Sequence, residues 1–128
     1  MSSPSSEKPL PLPCIRTRIK ICGLTREQDV DAAVAAGADA IGFVLYAPSP
    51  RAVTPQRAAE LAARLPPFVT PVLLFVNESA SNIIAASDLL AGATIQFHGD
   101  ETPAECLAAT LDGARPFLRA ARIPLGDG

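Results

Sequence analysis

Short apolar segments of strand type alternate along this chain with alanine- and leucine-rich segments of helical type, and that alternation narrows the possible folds more than any other feature. "RIKIC" (18–22), "AIGFVL" (40–45), "VLLFV" (72–76), "TIQF" (94–97) and "FLRAA" (117–121) are short and apolar, several of them rich in β-branched residues. Between them, "REQDVDAAVAA", "PQRAAELAARL", "ASNIIAASDLL" and "PAECLAAT" repeat Ala and Leu at helical spacing. Thr25 is placed to cap the first helix, Pro55 and Pro103 sit where a first-turn proline belongs, and Gly37 follows the first helix. Strand and helix exchange at intervals of roughly 20–30 residues, the size of a βαβ unit. The class is α/β with a parallel sheet.

The chain has 128 residues, 48% of them hydrophobic, which is material for one core and not two. A net charge of -2 with interspersed signs and only 5% aromatics leaves no basic stripe or stacking platform, so no nucleic acid is expected as a partner. The cysteines, Cys14, Cys22 and Cys106, are odd in number and lack C-x-x-C spacing; they indicate neither a disulfide framework nor a zinc site, and a reducing cytoplasm fits them. Residues 1–17 are rich in Ser and Pro without the apolar stretch of a signal peptide, and read as a disordered tail ahead of a folded region at 18–128. No run is long enough to span a bilayer, so no membrane association is expected.

Polar residues inside the strands choose between an open doubly wound sheet and a (β/α)-barrel. Side chains alternate faces along a strand, so Ile19 and Ile21 share one face while Lys20 and Cys22 share the other. The split recurs with Ile95 and Phe97 against Gln96 and His98, and Arg119 stands opposite Leu118 and Ala120. A parallel sheet covered on both sides is apolar on both faces. Here one face collects Lys20, Cys22, Gln96, His98 and Arg119, as expected near the C-terminal mouth of a barrel. The first loop, "CGLTR", has no G-x-G-x-x-G, which disfavours a dinucleotide fold. A receiver-like domain needs clustered acids at its strand ends, whereas Asn77 and His98 end the third and fourth strands.

The stretch "IKICGLTREQDVDAAVAAGADAIGFVLYAPSPRAVTPQRAAELAARLPP", followed by "VLLFVN" and "IQFHGDE", resembles the N-terminal part of the phosphoribosylanthranilate isomerase family. K-I-C-G, S-P-R and Q-F-H-G-D in this order are far more specific together than singly, and the likeness runs from about Arg18 onward. Ala52 departs from it, since an aromatic commonly follows the arginine. The resemblance implies a (β/α)8 TIM barrel, here followed through about its fifth strand, whereas a whole barrel of this type needs at least ~200 residues. It also implies a general-acid aspartate at the end of a sixth strand and glycine-rich phosphate loops after the seventh and eighth. Asp127, in "PLGDG", matches no such motif and is not assigned as the acid. The expectation is a truncated isomerase, inactive as it stands.

The reaction so implied is an Amadori rearrangement of N-(5-phosphoribosyl)anthranilate, a small phosphorylated substrate, with no cofactor and no metal. An acid protonates the ribose ring oxygen and opens the ring to an imine; a base then takes the C2 proton to give an enamine that becomes the ketone. By resemblance Cys22 is the base, and Arg51 contacts the anthranilate carboxylate, where a guanidinium fork suits the geometry. A free thiol titrates near ~8.5, so a working thiolate needs a cation close by, a field that Lys20 on the same strand face can supply. Gln96 and His98 are read as substrate-binding residues lining the site, with a structural role as the rival reading. Without the K-I-C-G context, a strand-end Cys is more often packing than chemistry, Lys20 can snorkel to the mouth, and a loop arginine is mostly solvated. A non-catalytic half-barrel acting only by association, or another phosphate-handling barrel enzyme, are the alternatives. Asn77 and Asp100 read as loop and cap residues, Cys14 and Cys106 as bystanders.

Overall fold

A computed structural model describes residues 15–126. Cys14 and Asp127, and all but the last three residues of the expected tail, lie outside the described residues. Five strands, β1 (Lys20–Cys22), β2 (Ala40–Val44), β3 (Thr70–Phe75), β4 (Thr94–Phe97) and β5 (Phe117–Arg119), alternate with α1 (Glu27–Ala35), α2 (Pro55–Ala62), α3 (Ala80–Asp88) and α4 (Pro103–Ala109). All neighbouring strands pair in parallel, and the sheet order is β1-β2-β3-β4-β5. A doubly wound sheet reverses its strand order at a switch point. This one never reverses, and right-handed crossovers of constant direction put every helix on the same face. The architecture is that of a (β/α)8-type barrel through its fifth strand.

Local chemistry accounts for the helix starts. Thr54 and Ser79 accept hydrogen bonds from the backbone N–H of Arg57 (3.1 Å) and Asn82 (3.3 Å). At α4, Thr102 and Glu105 satisfy each other's backbone donors in a capping box, with Pro103 in the first turn. The first helix departs from expectation: Arg26, not Thr25, is its N-cap, and no side chain caps it. Glu27 and Asp29 instead place negative charge against the positive end of the helix dipole. Gly37 follows the C-cap Ala36 with φ +99°, a conformation glycine adopts without Cβ strain.

The core lies between sheet and helices. Ile41, Phe43, Leu73, Phe75, Ile95 and Phe97 point outward from the strands and meet Val30, Leu61, Ile83 and Ala86 from the helices. Cys106 is fully buried within this layer. Ile21 lies in register with Ile41, on the expected face, yet keeps 38% of its surface exposed because β1 is an edge strand. β3 starts at Thr70, earlier than the apolar pattern implies, and takes in Pro71. Pro71 precedes the first β3–β4 pair, Val72 with Thr94, so its missing N–H removes no ladder bond on that side.

Arg119 corrects the sequence reading. Phe117 pairs with Ile95 and packs edge-on against Phe97, ring centroids 5.6 Å apart, which fixes it on the helix side of the sheet. Period-two alternation then carries Arg119 to that side as well, where its Nε donates to the backbone oxygen of Glu101 at 2.8 Å. Leu118, in register with Gln96, occupies the concave face instead. Two adjacent apolar residues, Phe117 and Leu118, make both phases plausible from sequence, and the Phe97–Phe117 contact selects one.

Candidate active site

Side chains on the concave side of the sheet converge on a depression of ≈ 490 Å³ whose lining includes Lys20, Cys22, Arg51, Gln96 and His98, together with Tyr46 and Arg122. All five residues singled out from sequence are therefore brought together. A slightly larger depression of ≈ 540 Å³ lies on the outer side against α2 and α3 and contains none of them. The concave depression, where chemistry-bearing groups gather at the C-terminal strand ends, is the better candidate.

Cys22 ends β1, level with Gly42 on β2. A Cβ at position 42 would stand 2.6 Å from the Cys22 sulfur, so the missing side chain is what leaves room for the thiol. Gly23, next in the chain, has φ +86°, and a Cβ there would meet Arg51 Cζ at 2.7 Å. Arg51 lies across that bare backbone: its Nη1 donates to the Cys22 carbonyl at 3.4 Å, while its own N–H donates to Ser49 Oγ at 3.1 Å. One layer below Cys22, Lys20 spans the concave face and donates from Nζ to Gln96 Oε1 on β4. His98 follows β4, its N–H donating to the Phe75 carbonyl at 2.9 Å and its ring exposed to solvent.

Glu101 was not anticipated from sequence. Only 3% exposed, its carboxylate accepts from the backbone N–H of Asn77 (2.7 Å) and of Gly99 (2.9 Å). Asn77, at φ 51°, accepts from Asp100 N through Oδ1 at 2.9 Å. The loops after β3 and β4 are thus clasped together just beyond His98. In "HGDETP" an acid before a helix reads as a cap, and only a loop pairing across 24 residues discloses the clasp. The close approaches to Gly42 and Gly99 carried a better signal, since glycine in or just after a strand marks a crowded neighbour.

Parallel strands in chain order, helices on one face and polar groups at the C-terminal strand ends define a (β/α)-barrel of the enzyme type. The profile of the family "N-(5'phosphoribosyl)anthranilate (PRA) isomerase" matches residues 19–123. This chain belongs to that family. It is 62% identical over 112 residues to the N-(5'-phosphoribosyl)anthranilate isomerase of Methylibium petroleiphilum, covering 88% of this chain and 51% of the relative. The phosphoribosyl anthranilate isomerase from Thermus thermophilus superposes with a TM-score of 0.77 at 33% identity, over 84% of this chain and 52% of that one. A second solved structure, TM-score 0.76 and 35% identity over 81% of this chain and 53% of the other, is of the isomerase in complex with reduced 1-(o-carboxyphenylamino)-1-deoxyribulose 5-phosphate. The chain spans about half the length of the curated relatives it matches. Among the described residues no helix is long and apolar enough to cross a membrane.

Proposed function

We propose that these residues form the base-bearing half of a phosphoribosylanthranilate isomerase site, which works in the cytoplasm on a small phosphorylated aminosugar in tryptophan biosynthesis, without a cofactor. The observation that carries this reading is the seating of Arg51 over Gly23 with its guanidinium on the Cys22 carbonyl. It sets an anion-binding fork beside the only thiol on the concave face among the described residues. Cys22 takes the C2 proton of the ring-opened imine, and Arg51 receives the anthranilate carboxylate. Gln96 and His98 line the sugar side, and Lys20, bonded to Gln96, makes the floor positive.

Protonation of the ribose ring oxygen needs an acid held on the other side of the substrate. No Asp or Glu lines this depression among the described residues. The 128 residues by themselves are therefore expected to show no turnover, since losing a positioned acid alone costs a factor of about 10²–10⁴. The test joins this chain to the C-terminal half of the Methylibium petroleiphilum relative and follows consumption of phosphoribosylanthranilate by its fluorescence. Turnover in the joined protein that falls at least ~10²-fold in Cys22→Ala, with unchanged circular dichroism, supports the reading. Undiminished turnover in Cys22→Ala would assign the base elsewhere.

A further inference from the structure

The phase of β5 removes Arg119 from the concave face, yet another arginine reaches it. With Leu118 beside Gln96, β5 ends at Arg119, the Ala120 N–H still bonds the Phe97 carbonyl at 2.8 Å, and Arg122 follows in the segment beyond the strand. Arg122 lines the same depression as Cys22 and His98, across the sheet from Arg51. Its guanidinium comes within 3.9 Å of Asp100 Oδ1 in the loop after β4, with both side chains about four-fifths exposed (79% and 84%). At that distance, and in solvent, the pair does not consume the hydrogen-bonding capacity of Arg122.

We propose that Arg122 is a second anion-gripping residue of this site, held ready by Asp100 and handed over to the substrate's carboxylate on binding. This rests on the reading that the concave depression is the substrate site. The depression carries Lys20, Arg51 and Arg122 and no carboxylate in its lining, Asp100 standing just outside. Such a lining draws a multiply anionic ligand and fixes it by forked, charge-assisted bonds. Asp100 then competes with the ligand for Arg122, so removing the acid and removing the base have opposite effects. A merely structural ion pair gives effects of the same sign.

The experiment uses the chain itself, with anthranilate as the anionic probe and anthranilamide as its uncharged counterpart, titrated against amide chemical shifts of wild type, Arg51→Gln, Arg122→Gln and Asp100→Asn. Expected are a loss of anthranilate affinity of about three- to tenfold in Arg122→Gln, a gain in Asp100→Asn, and no change with anthranilamide. Unchanged anthranilate affinity in Arg122→Gln, with loss in Arg51→Gln, overturns the role of Arg122 and leaves the site reading standing. If neither arginine matters, or anthranilate does not bind wild type, both fall.

Discussion

At Gly23 and Gly42 a single added methyl would disturb the site in two distinct ways. Gly42→Ala forces a Cβ against the Cys22 sulfur, an overpacking that typically costs about 1–3 kcal/mol. Gly23→Ala adds left-handed backbone strain of about 1–2 kcal/mol and pushes Arg51 off its seat. Chemical denaturation should show both losses, with Gly23→Ala alone weakening anthranilate binding. The two described thiols should also part company under iodoacetamide, as read by peptide mapping. Cys106 is enclosed and burial pushes its thiol up, so it stays unmodified in the folded chain, whereas the partly exposed Cys22 reacts. Lys20, Cys22, Gln96 and His98 were legible because period-two alternation is strict within a strand. Arg51 came only through its motif. Glu101 and Arg122 were not legible, because one depends on two loops meeting and the other lies in the segment beyond a strand.

The elements were legible wherever the chain carries a hydroxyl cap or a first-turn proline, as at α2 and α4. They were misjudged at α1, where acids in the first turn replace the cap. Acids of α1 also lace it to α2 and the segment beyond. Glu27 takes a bidentate pair from Arg57 of α2 (2.7 and 2.8 Å), and Arg64 reaches back to Asp31 at 2.6 Å. The Arg57 guanidinium holds the Glu27 carboxyl at about 2, and Arg16 with the Ile19 N–H holds Asp39 at about 2. Both lie below the ordinary carboxylate range near ~4. Their stabilisation is therefore fully present above that range and is lost as the pH falls toward 2. Thermal unfolding followed from pH 6 to pH 2 should show the midpoint dropping across this window, and Glu27→Gln should flatten part of the drop. Thr102→Ala, which opens the α4 capping box, should cost about 1 kcal/mol at neutral pH.

Across the molecule, stability should decline from the middle of the sheet to its edges. Among the described residues β2, β3 and β4 have partners on both sides and bury their outward residues, while β1 and β5 pair on one side and leave Ile21 and Leu118 open. Amide hydrogen exchange should therefore be slowest at Ile41, Leu73 and Ile95 and fastest in β1 and β5; uniform protection would contradict this gradient. The strand order has a further effect, on assembly in time. Because each of β2 to β5 pairs with the strand made just before it, a polypeptide emerging from the ribosome finds a template for each of these strands already in place. Every completed helix covers the strand just laid down and leaves one fresh edge as template for the next. Growth of this sheet is thus zipper-like and runs in the direction of translation.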